Sequence, residues 1–583
     1  MSPLGNDPQL SQLVEALANR LEALTHDPSQ DISSLAEVER LAILLPKLQT
    51  SFLRMRNGFA PINRLPVEVL SYIFDIARDV DWRIFGDQQS GRVVRMSLVC
   101  RHWRHVALLF PKLWSTIQLR QESVYDFQFA LLCLERSKSA PLKVVISTLF
   151  RGVQIADFLA PYAHRIREVA LLVPFKYATT NVPAYVVSTC SFHAPNLETL
   201  RICTPMWGCA NSPVLPTVFN GDIPHVKRLH IECFASWPGH RFSGLTHLAL
   251  GAQAQYTQRP SMEEFLDLIE MNPLLEQLLL DSAGPTLYPT TNRPPVSLPN
   301  LRLLCFNVSQ KERALPERVL THLILPDTTT TRIFYDMDPA AVDPSLPLPA
   351  ELCSRSADKL LFRDSTLECG EPALRLSAIS SAHGAGLAVS HRLRDAAPHE
   401  RWAYPALRAF LQPSLCADAR ALWLDMGRTG AGLGEAEWRS VLEAVPAAEE
   451  LTIARPRLPC VLRALRAQAG VLPVPGLRTL RLLGGEAPEL EDERWDTERE
   501  IQALRLLGRE RADLGRPVRL LQLVVAPRCA DLEAGTETEA GALGLDGAFG
   551  KVELLEQEDA PVFEQPPEML QAPFGRDIPG LYE

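Results

Sequence analysis

No run of 18 apolar residues occurs anywhere in the 583-residue sequence, so no membrane-spanning helix is expected. The stretch Met1 to Leu10 carries neither the basic n-region nor the apolar h-region of a secretory leader, which points to the cytoplasm or the nucleus. Twelve cysteines are scattered from Cys100 to Cys529 without a C-x-x-C pair. That scatter gives no disulfide framework and no zinc knuckle, and fits thiols used as small buried hydrophobes in a reducing compartment. Basic charge is short as well. With 59 Lys and Arg against 69 Asp and Glu, the formal net charge is -10. A broad basic surface for a polyanion is therefore excluded, and nucleic acid with it as a first partner. The sequence has no H-E-x-x-H and no G-x-S-x-G. Gly544 to Lys551 imitates a phosphate loop, but it has one residue too many between its glycines and Val552 where a hydroxyl should bind magnesium. No catalytic residue, cofactor or metal is assigned, and the chain is read as a non-enzyme.

What is present describes a globular protein of more than one part. Hydrophobic residues make up 46% and charged residues 22%, which rules out disorder of the whole chain. The length exceeds what one core serves, so a small module with a larger one, or a repeat array, is expected. Leu10, Leu13, Val14, Leu17, Leu21 and Leu24 fall on one face of a helix that ends at His26-Asp27-Pro28. A second helix opens with Ser34 and Glu37 at capping-box spacing. Its apolar positions Val38, Leu41, Leu45, Leu48, Phe52 and Met55 alternate by three and four, as in a coiled-coil seam. With fewer than three heptads, the seam is read as one side of an intramolecular hairpin that packs on the helices C-terminal to it.

The next segment, Ile62 to Phe74, reads as a helix with Pro66 in its first turn and Leu70, Ile73, Phe74 and Ala77 as its stripe. A polar loop from Asp79 to Gly91 leads to a second stripe, Met96, Val99, Cys100, Trp103, Val106 and Ala107, and then to Phe110-Pro111-Lys112-Leu113-Trp114. About 55 residues bury little surface alone and gain from a partner. The ordered combination of Leu65-Pro66-x-Glu68-x-Leu70-x-x-Ile73-Phe74 with Leu98-Val99-Cys100-Arg101-x-Trp103-Arg104 and Leu113-Trp114 resembles the F-box family, in particular the F-box-like proteins of fungi. The resemblance covers about residues 60 to 120. It implies a three-helix unit that binds a Skp-type adaptor and, through it, a cullin-RING ligase. It places Leu65, Pro66, Leu70, Ile73, Phe74, Val99, Cys100, Trp103, Leu113 and Trp114 at or beneath the adaptor interface. The stretch from Phe74 to Met96 is about ten residues longer than the family spacing and carries Asp79, Asp81, Arg83, Asp87 and Arg92. It is read as a solvated loop. Arg101, His102, Arg104 and His105 make a small basic face, suited to solvent or to an acidic partner.

From about residue 140 short apolar runs recur between turns. L-x-x-L-x-L-like hexads begin at Ile166, Leu197, Val226, Leu245, Leu275, Leu301 and Leu320, at intervals of 31, 29, 19, 30, 26 and 19 residues. After a fade between about 330 and 415 they resume at Ala419, Ala448, Leu477 and Val518. Helix-like stretches such as Ser261 to Met271 and Glu435 to Ala444 lie between them. Strand and helix at this period predict an irregular leucine-rich-repeat-like α/β solenoid, since one repeat cannot bury its own apolar edge. Cys190, His193, Cys203, Cys209, His225, His230 and Cys233 lack the short paired spacings of zinc ligands and are read as core or surface residues.

The expected organisation is a helical hairpin (1–58), an F-box (59–120), the repeat array (121–526, with a degenerate or inserted block at about 330–415) and an acidic, partly disordered tail (527–583). Its function is expected to be that of the substrate-recognition subunit of a ubiquitin ligase, with an unidentified protein as substrate. The alternative is a non-ligase scaffold whose helices only cap the repeats.

Overall fold

Two residues decide where the first helices break. Pro66 disfavours helical dihedrals in the residue before it, and in the computed structural model of the chain Leu65 is extended (φ -65°, ψ 145°). The single helix expected from Ile62 is therefore a 3-10 turn, Pro61–Arg64, followed by a separate helix α3 (Val67–Asp79). Cys100 is extended too (φ -157°, ψ 172°), and its Sγ accepts the Trp103 backbone N–H at 3.4 Å. The second stripe accordingly splits into α4 (Gln89–Val99) and α5 (Arg101–Leu109). Gly91 is helical instead of lying in a loop. Upstream lie α1 (Pro8–Thr25) and α2 (Ile32–Phe59). The α2 seam does not find the packing expected of it: Leu45, Leu48, Phe52 and Met55 are exposed. The buried side chains of α3, Leu70 and Phe74, serve the core of their own three helices instead.

The structure describes residues 8–25, 32–79, 89–119, 124–147, 154–173, 182–203, 214–221, 223–253, 259–288, 291–309, 312–336, 348–353, 355–366, 372–392, 400–426, 433–454, 458–468, 470–483, 497–525, 545, 547–556 and 562–570. Most of the expected loop at 79–91, and the end of the tail, lie outside them. Among the described residues no helix is long and apolar enough to cross a membrane. The chain divides into two compact units, Met1–Trp114 and Ser115–Glu583.

The second unit is built on one 17-stranded sheet. Its first strands are β1 (Thr116–Leu119), β2 (Leu142–Ile146), β3 (Ile166–Leu172), β4 (Thr199–Cys203), β5 (Arg228–Glu232), β6 (His247–Gly251) and β7 (Gln277–Asp281). They pair in parallel and in chain order. Two short strands, β8 (Val296–Ser297) and β10 (Leu323–Ile324), pair separately, while β9 (Leu303–Ser309) and β11 (Thr330–Asp336) continue the ladder. The hexad beginning at Leu320 thus lands on a helix end and β10, outside the main sheet. In the others the last two apolar positions share one face: Leu200 and Ile202, Leu229 and Ile231, Leu248 and Leu250 are all buried. Just ahead of the strands a backbone bond recurs from one interval to the next. Glu198 donates to Arg167, Lys227 to Glu198, Thr246 to Lys227, Glu276 to Thr246 and Arg302 to Glu276, at 2.7 to 2.9 Å. The helices expected between hexads form, and Met262–Glu270 opens with a capping box from Ser261 and Glu264.

The stretch where hexads fade is a three-stranded meander within the same sheet. β12 (Lys359–Thr366), β13 (Pro372–Ser380) and β14 (Ala385–Arg392) are antiparallel to one another in turn. β14 lies parallel to β11, and β12 parallel to β15 (Ala421–Asp425). An odd number of antiparallel strands returns the chain to its original direction, so the ladder resumes through β16 (Glu450–Ala454), β17 (Thr479–Leu483), β18 (Leu520–Val525) and β19 (Lys551–Glu556). Further on, Val562–Leu570 packs on the sheet, with Met569 buried against Ile379 and Ala388. This part of the expected tail has an apolar anchor on the sheet.

His391, on β14, stacks on Tyr335 at 5.3 Å, and burial pushes its imidazole down to about 4. Above pH 6.5 the residue is neutral folded or unfolded and has no effect on the balance. Between pH 6.5 and 4 the unfolded chain binds a proton that the folded chain refuses, so stability falls as pH falls, by up to about 1.4 kcal/mol per unit. Urea unfolding at pH 7.5 and pH 5 is expected to show a smaller difference for His391→Phe than for the natural chain.

Candidate functional site

The ten residues picked out near the N-terminus divide into three kinds. Leu70, Phe74, Leu113 and Trp114 are buried; Leu65, Ile73, Cys100 and Trp103 are half-buried; Pro66 and Val99 are exposed. Leu70 and Phe74 lie one turn apart on α3, and the Phe74 ring meets that of Trp103 on α5 with centroids 4.8 Å apart. The indole Nε1–H of Trp103 donates to Asn63 Oδ1 at 2.7 Å, and Asn63 Nδ2 donates to the Asn57 carbonyl at 2.6 Å. Behind them the indole of Trp114 donates to the Ala107 carbonyl at 2.8 Å. Lys112 pairs with Asp75, tying the turn Pro111–Trp114 to α3. Leu70, Phe74, Leu113 and Trp114 thus form a floor, on which Trp103 is held at the surface by one aromatic and one polar contact.

Asn63 was not singled out from the sequence, although it sets the orientation of that indole. Asn63→Ala leaves the Nε1–H without its acceptor and is expected to destabilise the first unit by about 1–2 kcal/mol, read by chemical unfolding. Trp103→Phe, which lacks the N–H, should lose less from the same change, since only the Asn63–Asn57 bond is then removed.

A second group was also overlooked. Val69, Tyr72 and Ile76 recur on α3 at intervals of three and four and are all exposed, Tyr72 at 65%. Leu98 at the end of α4, next to the expected Val99, and Leu108 and Leu109 at the end of α5, are exposed too. The signal was available. Val67-Glu68-Val69-Leu70-Ser71-Tyr72-Ile73-Phe74-Asp75-Ile76 is apolar on two sides of a helix, which a small unit cannot cover. Arg101, Arg104 and His105 are exposed on α5 and His102 is half-buried, so the basic face is solvated.

Elsewhere the sheet brings together two of the residues considered as ligands, Cys203 and His230, with Glu232, which was not among them. Cys203 on β4 and His230 and Glu232 on β5 are buried, with their donor atoms within 4.8 Å of one another. Cys203 Sγ lies 3.6 Å from His230 Nδ1, and His230 Nε2 lies 3.3 Å from Glu232 Oε1. Thiolate, imidazole and carboxylate are donors that a zinc ion accepts. Yet the two ring nitrogens face different partners, as in a hydrogen-bonded relay, and the guanidinium-bearing Arg201 stands in register beside His230. A cavity of about 10 Å³ lined by Tyr335, Leu376, Val389, His391 and Phe410 has space for a water molecule and not for a substrate.

Residues 62–120 match the F-box-like domain family. The matched stretch contains α3, α4, α5, the turn Pro111–Trp114 and β1, and all of the first turn but Pro61. No curated protein matches the chain.

Proposed function

We propose that the chain is the substrate-recognition subunit of a Skp–cullin–F-box ubiquitin ligase. One observation carries this reading: within the matched domain, α3 fills its own core with Leu70 and Phe74 and still presents Val69, Tyr72 and Ile76 to solvent. An apolar stripe of that kind on a helix is stabilised by a second protein laid against it. The adaptor-facing residues are then Val69, Tyr72, Ile73, Ile76, Val99 and Trp103, with Leu65 and Pro66 at the edge and Leu70, Phe74, Cys100, Leu113 and Trp114 supporting from beneath.

The sheet unit is the substrate-holding part, an irregular leucine-rich-repeat-like solenoid. Its support is the backbone bond that recurs from Arg167 to Arg302, and again where Glu449 donates to Arg420, Arg478 to Glu449 and Arg519 to Arg478, each at 2.8 Å. A repeating bond at a repeating position is what stacked copies of one strand-turn unit produce. In this reading the chain does no bond chemistry. It holds the target beside a charged conjugating enzyme, where lysine attack becomes effectively intramolecular. Co-expression with a Skp-type adaptor followed by size-exclusion chromatography tests it: a co-eluting complex is expected, and failure to associate at micromolar concentration leaves the non-ligase scaffold.

A further inference from the structure

The meander sets several arginines close together on one sheet face. Strand register places Phe334, Ser390, Arg375, Arg363 and Asp425 in one row across β11, β14, β13, β12 and β15. The row beside it, two residues back along β11, is Arg332, Ala388, Ser377, Leu361 and Trp423. Side chains two apart share a face, so three arginines, a tryptophan and a patch of small residues point the same way. The arginines feel one another: burial, together with Arg332 and Arg363, presses the Arg375 guanidinium down to about 10. Asp425 offsets one of them, 3.0 Å from Arg363 Nε.

The chain's own segment Val562–Leu570 is seated there. Phe563 meets the Trp423 ring edge-on at 5.3 Å, Met569 packs on Ile379 and Ala388, and Arg375 Nη2 donates to the Met569 carbonyl at 2.7 Å. The methionine enters a hollow that exists because residue 386 has no side chain. A Cβ on Gly386 would stand 2.5 Å from Met569 Sδ. The seated sequence, Val-Phe-Glu-Gln-Pro-Pro-Glu-Met-Leu, has two carboxylates and no basic group, and it runs without regular structure over Val562–Pro566 into a single helical turn, Pro567–Leu570. Host and guest carry charge of opposite sign, and the methionine fits the hollow at Gly386.

We propose that this five-strand face is a docking groove for short acidic peptide segments of a partner protein, each bearing an aromatic or methionine anchor, and that residues 562–570 are its resident competitor. The groove deepens the receptor reading by stating what kind of segment a target presents, and it rests on that reading only for the identity of the partner. Peptide binding requires no adaptor, so the groove and the ligase assignment fail separately.

The test is fluorescence anisotropy with a labelled peptide of residues 562–570 and the full chain. The natural chain keeps its own copy at a high effective concentration, so the peptide should bind at least tenfold more weakly to it than to Met569→Asp, whose segment no longer fits the hollow. Phe563→Ala combined with Met569→Ala should free the groove in the same way without adding charge. Arg363→Gln, at a largely exposed side chain, added to Met569→Asp should weaken binding several-fold, as should replacing both glutamates of the peptide by lysine. Equal binding to the natural chain and both unseated variants overturns the proposal. So does no binding to unseated variants that keep the natural circular dichroism spectrum, or indifference to peptide charge.

Discussion

Tyr72→Asp is expected to weaken adaptor binding by about 100-fold or more, or ~3 kcal/mol, while leaving the unfolding midpoint of the first unit within a degree or two. The two halves of that result come from the same position. Tyr72 is 65% exposed on α3, so the isolated chain loses little when it changes. In a complex the same site is one turn from Val69 and Ile76, and a carboxylate there would be stripped of water without a cation to receive it. Leu70→Asp is the poorer probe, because Leu70 is fully enclosed by its own unit and the substitution would unfold the module before it said anything about docking. Isothermal titration with a purified adaptor, paired with thermal unfolding, separates the outcomes. Undiminished affinity for Tyr72→Asp would remove α3 from the interface.

The second large effect is on folding. Trp114→Ala should destabilise the first unit by about 3–5 kcal/mol, the range for emptying a buried aromatic site. Trp114 is 1% exposed, and its indole also serves the Ala107 carbonyl, which the truncation leaves without that donor. A domain of this size has a total stability of roughly 5 kcal/mol to lose, so the cooperative transition of the unit should largely disappear at 37 °C. Adaptor binding then falls as well, as it does in Tyr72→Asp, but with a collapsed near-ultraviolet signal. Trp114→Phe keeps most of the volume and should cost about 1–2 kcal/mol. Amide hydrogen exchange across α5 would report the difference between the two substitutions directly.

Legibility in the sequence followed periodicity and failed where geometry took over. Hexads located β3 to β7, β9 and β15 to β18, because each carries leucine or isoleucine at positions that a strand turns to one side. The meander was invisible to that template: its strands alternate Leu374, Arg375, Leu376 and Ser377 without the leading turn-and-leucine of the hexads. At the proposed docking surface the sequence supplied the residue types but not their depth. Pro66 and Cys100 each break a stripe that reads as continuous, and only the broken helices show that Leu70 and Phe74 face inward while Val69 and Tyr72 face out. Cys203 stands 27 positions from His230 and 29 from Glu232 along the chain, yet parallel register makes them neighbours.

The order β11, β14, β13, β12, β15 also governs assembly in time. β12 follows β11 in the chain but must settle three strand spacings away, roughly 14 Å at about 4.8 Å each, leaving a slot that β13 and β14 then zip shut. Until that wedge is seated, the leading and trailing halves of the sheet each end in a raw edge able to pair with another chain. The parallel pairings of β14 with β11 and of β12 with β15 are the non-local contacts of the wedge and are expected to form after its two hairpins, so a lesion at the turn between β13 and β14 should send newly made protein toward aggregation.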